Sequence, residues 1–299
     1  IVHDEGIAIP ILLGNEEIIL GLKEEIGFDA EVEIIDPKVD QIRTKRFAYA
    51  AIYWESNRRK GVTLVEAQKM MRERNYFAAM MLNENDTDAM ITGYSRNYAS
   101  SIKPLFETIG MEKGVSRISA TNLMLTKKGP MFLADTTINI DPTPEQLAKI
   151  TEMTTNVAKM FGVNPVVAML SFSNFGASNS EKSRKVGKAV ELIHERYPDL
   201  IADGPVQIDF ALNSEMMEDK FPFSNLSGKK PNVLIFPNLD SANITYKMMK
   251  ELNGTESIGP IVLGLKKPAH VMQLGASVDE IVNMAAVAVV DAQNKSRKN

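Results

Sequence analysis

Short runs rich in Val, Ile and Leu alternate along this chain with longer amphipathic segments, and that alternation limits the fold more than any other feature. The runs "IPILLG", "AEVEIIDP", "DAMITGY", "MFLADTTINI", "PVVAMLSFS", "NVLIFPNL" and "PIVLGL" read as strands. Several are nearly continuous in apolar residues, as expected for parallel strands covered on both faces. Between them lie "GNEEIILGLKEEIG", "TLVEAQKMMRERNYFAAMML", "TPEQLAKITEMTTNVAKMFG", "EKSRKVGKAVELIHERYP" and "SANITYKMMKELNG". These read as helices, with capping residues or proline ahead of them and glycine or proline behind. The alternation predicts a doubly wound α/β architecture. No internal repeat or low-complexity linker interrupts it, and only the tail "NKSRKN" reads as disordered. The methionines of "EAQKMMRERNYFAAMML" fall at the spacing of a buried helix face and are assigned to packing.

Composition removes whole classes of function. Without cysteine there is no disulfide framework, thiolate zinc site or cysteine nucleophile, which fits a cytoplasmic setting. A formal charge of -4 with a pI near 5.6 gives no general attraction to nucleic acid or acidic membranes. No apolar run reaches the roughly 18 residues of a membrane helix, and no signal segment is recognisable. His3, His194 and His270 lie far apart without metal-ligand spacing. Neither a Walker loop nor a G-x-G-x-x-G fingerprint occurs. The chain opens at Ile1 in "IVHDEGIAIPILLG", as if partway through a helix, and reads as a fragment of a longer polypeptide.

Three polar strand-to-helix junctions carry the candidate chemistry, because ligands of open α/β sheets sit outside the carboxyl ends of strands, where helix N-termini offer free N–H groups. "LSFSNFGASNSEKS" holds Ser171, Ser173, Asn174, Ser178 and Ser180, more polar side chains than a cap requires; anion or amide binding and plain capping both remain open. In "ITGYSRNYASSIKP", Arg96, Asn97, Tyr98 and Lys103 could meet phosphate and a flat base, or form an ordinary surface loop. In "HVMQLGASVDEIVN", Ser277 and Glu280 form a capping box that accounts for both without function.

At these junctions the chain resembles the phosphate acetyltransferase family. The resemblance is carried by "AMLSFSNFGAS", "YPDLIADGPVQIDFAL" and "GKKPNVLIFPNLDSANITYKMMKELNGTESIGPIVLGLKKPA", and it spans essentially the whole chain. It implies a two-domain, doubly wound α/β/α sandwich similar to isocitrate and isopropylmalate dehydrogenases, with a coenzyme A cleft. One domain would comprise residues 1–113 and 262–299 and the other 114–261, with a strand and helix missing upstream.

One loop departs from the family. Active members carry a Ser-Arg-Gly-Cys loop and then an aspartate, the first two residues handling acetyl phosphate and the aspartate acting as base for the thiol. Here these positions hold Gln273, Leu274, Ala276 and Glu280. Leu274 cannot bind phosphate; each lost charge-assisted contact removes about 1.5–3 kcal/mol. No catalytic residue is therefore expected. The forms "SFSNFGAS" and "PNLDSANITY", with the opening "IVHDEGIAIPILLG", look like the C-terminal region of large bacterial NADP-dependent malic enzymes. That resemblance implies a domain without transferase activity that binds acetyl-CoA as an allosteric effector and assembles into a homo-oligomer, at least a dimer. NADP and a divalent metal, Mg or Mn, would serve only the upstream malic enzyme domain.

Within this reading Lys103 stands where the transferases have an arginine, and Arg96 and Tyr98 replace smaller polar residues. Arg58 and Arg59 of "NRRKG" either reach the outer phosphates of coenzyme A or form a solvated helix C-terminus, which the helix dipole favours. Trp54, on the same helix, is expected in a core or an interface. An active phosphate acetyltransferase and a purely structural domain are the competing functions.

Overall fold

The computed structural model of the chain describes residues 1–94 and 97–297. Two compact units emerge, Ile1–Glu112 with Leu265–Asn299, and Lys113–Gly264; they are called units 1 and 2.

Unit 1 begins with β1 (Leu12–Leu13), α1 (Glu16–Glu25) and β2 (Ile34–Ile35), the two strands pairing in parallel. Three helices follow, α2 (Arg43–Asn57), α3 (Leu64–Met70) and α4 (Arg74–Asn83). The sequence predicts one helix over 63–82, but the chain breaks at Met71–Glu73. The cause is Glu73, whose carboxylate accepts the N–H groups of Asn75 and Tyr76 at 2.9 and 3.2 Å and so starts a second helix. Tyr49, Tyr53, Met71, Phe77, Met80 and Met81 meet in one core, and Trp54 packs on its edge. The methionines thus pack as their spacing predicts.

After β3 (Met90–Thr92) comes α5 (Tyr98–Thr108). Unit 1 is completed from the far end of the chain by β10 (Ala269–Val271), parallel to β3, and α11 (Val278–Ser296).

Unit 2 contains β4 (Ser119–Thr126), β5 (Gly129–Ala134), α6 (Pro144–Met160), β6 (Val166–Leu170), α7 (Glu181–Arg196) and β7 (Ile201–Val206). It continues through α8 (Ile208–Leu212), α9 (Ser214–Lys220), β8 (Val233–Ile235), α10 (Leu239–Asn253) and β9 (Glu256–Leu263). Six strands form one sheet in the order β7-β6-β8-β5-β4-β9. The sheet is mixed, not wholly parallel: β5, β8, β6 and β7 run together, and β4 runs against β5 and β9. The reversal comes from the two-residue turn Lys127–Lys128, closed by Thr126 Oγ1, which accepts from Lys128 N at 3.1 Å. Strand β5 also stops at Ala134, six residues short of the predicted run, because the Asp135 carboxylate accepts the N–H groups of Thr137, Ile138 and Asn139.

Both faces of the sheet are covered. Leu147, Ile150, Val186 and Ile193 of α6 and α7 pack on one face with Phe132 and Val167. Met217, Ala242 and Tyr246 of α9 and α10 pack on the other with Leu133 and Leu234. Each helix buries one apolar stripe, the arrangement predicted from the alternating pattern.

Candidate functional site

In unit 1 the site is built where β3 and β10 end side by side. The Met272 N–H donates to Thr92 O at 2.6 Å, so the loops after the two strands leave from one place. Gly93 permits this close approach: a Cβ there would lie 2.4 Å from Met272 O, and its φ of +110° is a conformation that side chains avoid. Thr92 Oγ1 donates to Asn75 Oδ1 at 2.7 Å, tying the strand end to α4. The two chain segments that leave there, from Gly93 and from Met272, are distant in sequence. Each feeds a helix N-terminus, α5 and α11.

The two helix ends differ electrostatically. The first turn of α11 carries Asp279 and Glu280, and the capping box is complete: Ser277 N donates to Glu280 Oε2 at 2.8 Å, and Glu280 N to Ser277 Oγ at 3.2 Å. Those carboxylates offset the positive end of the dipole and oppose a phosphate. The first turn of α5 has no acidic residue. Its cap is Asn97, whose Oδ1 accepts the Ser100 N–H at 2.8 Å. The amide oxygen of Asn97 is thus committed to the helix.

Tyr98 opens α5 half-buried, with its hydroxyl sealed from solvent. Lys103 is 60 % exposed, its ammonium 3.8 Å from Glu107 Oε1. That pair is a weak surface contact worth about 0–1 kcal/mol, so the cation can be recruited at little cost. Glu107 is held from beneath, accepting the Tyr76 hydroxyl at 2.5 Å and the Tyr53 hydroxyl at 3.5 Å. Burial pushes the Tyr53 phenol up to about 12, and the Glu107 carboxylate adds to the shift. Arg96 lies outside the described residues.

The departing loop is a turn. Ala276 N donates to Gln273 O at 3.3 Å, and Gly275 occupies the third position with φ +77°. Leu274, at the second position, is 64 % exposed. Behind this loop His270 is fully buried, and burial pushes its imidazole down to about 4. Its Nε2 is 3.6 Å from Asp291 Oδ2.

Arg58 and Arg59 lie elsewhere in the unit, in a single turn that ends α2 before Gly61 at φ +91°. Arg58 pairs with Glu55 at 2.6 Å and covers the Trp54 ring at 5.5 Å. The end of α2 meets α5 at Glu107, where Asn57 Nδ2 donates to Glu107 O at 3.4 Å. Nine residues of helix, about 13 Å, separate this basic run from Tyr98. The local contacts are those of a solvated helix C-terminus.

Ser173 and Asn174 belong to unit 2. Ser173 Oγ is 2.8 Å from Ser183 Oγ, and Asn174 exchanges hydrogen bonds with Gln207: its Nδ2 donates to Gln207 Oε1 and its Oδ1 accepts Gln207 N, both at 2.8 Å. Both side chains pin the β6–α7 loop. The cleft of this unit lies next to them, about 720 Å³ in volume, lined by Ser171, Lys185, Phe236, Asn238 and Ser241 among others. It sits outside the carboxyl ends of β6 and β8, neighbouring strands whose chains leave to opposite faces as α7 and α10, which is where doubly wound sheets place ligands. Lys185, Asn238 and Ser241 escaped the sequence reading; the legible signal was the junction "PNLDSAN", whose Asn238 caps α10. Among the described residues no group of three or more His, Cys, Asp or Glu is placed to hold a metal, and no helix is long and apolar enough to cross a membrane.

The chain is similar to two kinds of protein. It is 38 % identical over 298 residues to an NADP-dependent malic enzyme of Salmonella typhimurium, covering 96 % of this chain and 38 % of that protein's length. It is 36 % identical to a phosphate acetyltransferase of Clostridium acetobutylicum over 97 % of this chain and 88 % of that one. Its fold matches a phosphotransacetylase from Streptococcus pyogenes with a TM-score of 0.88 at 34 % identity, covering 98 % of this chain and 88 % of that one. The family model for phosphate acetyl/butaryl transferase matches residues 1–289, and the chain belongs to that family.

Proposed function

We propose that this chain is the regulatory and assembly part of an NADP-dependent malic enzyme, binding acetyl-CoA as an effector without transferring its acetyl group. The observation that carries this reading is the turn at Gln273–Ala276. Where the family resemblance calls for serine and arginine, the turn presents an amide and an exposed aliphatic side chain, and Glu280, in place of the base, is tied into the helix cap. Acetyl phosphate would find no charge there. Ligand phosphates fit the α5 end better, where the first turn is free of carboxylates and Lys103 is loosely held. In this reading NADP, Mg or Mn, and malate belong to the upstream part of a longer polypeptide.

The test has two arms on the purified chain. The first is thioester formation from acetyl phosphate and coenzyme A, expected at background; turnover within about tenfold of an ordinary family member returns the chain to the active transferases. The second is calorimetry with acetyl-CoA, in which Lys103→Ala and Arg96→Ala should each weaken binding about tenfold, the value of one charge-assisted contact. Absence of binding at millimolar acetyl-CoA, or unchanged binding in both variants, refutes the effector reading.

A further inference from the structure

The Lys103–Glu107 pair on α5 stands open. Its charged atoms are 3.8 Å apart, beyond the roughly 2.7–2.9 Å of a charge-assisted hydrogen bond. Helix spacing does not impose this distance. Lys149 and Glu152, on one helix with the lysine first, close to 2.7 Å, and Glu55 and Arg58 close to 2.6 Å.

The Glu107 carboxylate is held back by two other helices. The hydroxyl of Tyr76 in α4 donates to Glu107 Oε2 at 2.5 Å, and that of Tyr53 in α2 reaches the same oxygen at 3.5 Å. Both rings are buried, 9 and 2 % exposed, and brace each other edge to face with centroids 5.7 Å apart. A buried phenol needs an acceptor, and a carboxylate gives it the stronger, charge-assisted bond. The backbone is fixed as well, because Asn57 Nδ2 donates to Glu107 O at 3.4 Å. Both phenols fall on Oε2, so the contact with Lys103 is left to Oε1, and the Lys103 side chain remains 60 % exposed. Buried hydroxyls thus draw the carboxylate inward, away from an ammonium that stands in solvent.

We infer that Tyr53 and Tyr76 are positioning residues for Lys103: by holding the Glu107 carboxylate off its ammonium, they keep that cation open to a ligand phosphate. This rests on the α5 end as the ligand site and adds the means by which its cation is kept available. Without the phenols, Glu107 turns outward, closes on Lys103 and competes with the ligand for it. Hydroxyls that served only the core would leave the affinity for an anion indifferent to their removal.

Calorimetry with acetyl-CoA on the whole chain gives the test. Lys103→Ala should weaken binding about tenfold. Tyr53→Phe combined with Tyr76→Phe should weaken it about fivefold, the most that a closed surface ion pair withholds. Adding Glu107→Gln to that pair should return the affinity to the wild-type value or better. Such recovery cannot come from repaired folding, since the glutamine restores neither lost hydroxyl. In a Lys103→Ala chain the two phenylalanines should change nothing. The positioning role is overturned, with the α5 site left standing, if the phenylalanine pair binds as wild type, if Glu107→Gln brings no recovery, or if the pair weakens the Lys103→Ala chain equally. Wild-type binding by Lys103→Ala itself removes the α5 site, and the positioning role with it.

Discussion

Replacing Gly93 by alanine should break the close approach of Gly93 to Met272, where β3 and β10 end side by side. The residue has φ +110°, and strain of this kind in a non-glycine residue costs about 1–3 kcal/mol. The new Cβ would lie 2.4 Å from Met272 O, 2.9 Å from Met272 N and 2.8 Å from Val271 Cγ1, two of them backbone atoms that cannot swing aside. Relief requires β3 and β10 to separate, which gives up the Met272 N–H to Thr92 O hydrogen bond, worth about 1 kcal/mol. Together the loss is about 3 kcal/mol, or roughly 6–12 °C for a unit of this size. Trp54 is the single tryptophan and lies in unit 1, so its fluorescence during urea unfolding follows the affected unit alone. Gly275→Ala is the matched control: φ is +77°, but nothing lies within 4 Å of its Cβ, and the expected loss is about 1 kcal/mol. A Gly93→Ala chain no less stable than the Gly275→Ala chain refutes the reasoning.

Two further outcomes follow from a buried histidine and a half-buried amide pair. His270 is held neutral, taking a proton near pH 4 when folded but near 6.5 when unfolded, so its contribution is complete above about pH 6.5 and is lost as pH falls toward 4, by about 3 kcal/mol; His270→Gln should flatten Trp54-monitored stability across that window, and an unchanged slope counts against burial as the cause. In unit 2, Asn174→Ala and Gln207→Ala each remove two side-chain hydrogen bonds, Gln207 Nε2 also donating to Phe172 O at 2.9 Å, and should each cost about 2 kcal/mol, with a coupling near 1 kcal/mol in the double variant from their shared side-chain bond; additive losses would show that the pair does not pin the loop.

Much of the architecture is legible in the residues. Each of the seven apolar runs contains a strand, and the Ser277–Glu280 box starts α11 as its spacing predicts. The strands that escape are those whose residues argue otherwise. In β4 the polar Thr121 and Asn122 are buried and hydrogen-bonded to Leu133 O and Ser257 Oγ, and in β7 the Asp203-Gly204-Pro205 run imitates a turn. Strand β10 is only three residues long. Glu73 also breaks a helix that periodicity alone would continue, because a carboxylate cap acts over three residues and leaves the apolar pattern undisturbed. At the site, residue types identify the loops, but their meeting depends on the β3–β10 pairing, which no local pattern encodes.

That pairing also orders events during synthesis. Met90 and Ala269 are neighbours although about 180 positions apart, and all of unit 2 leaves the ribosome between them. Unit 2 pairs its own first and last strands, Ser119 against Leu263, so once folded it holds its two ends together and shortens the loop that β10 must close. The closure entropy falls by about 1.5 kcal/mol relative to an open chain. Until residues 265–299 emerge, β3 has no partner on its β10 side, and its apolar edge is open to other chains. A ribosome stalled before Ala269 emerges would therefore carry a complete unit 2 and an unfinished unit 1 with an open strand edge.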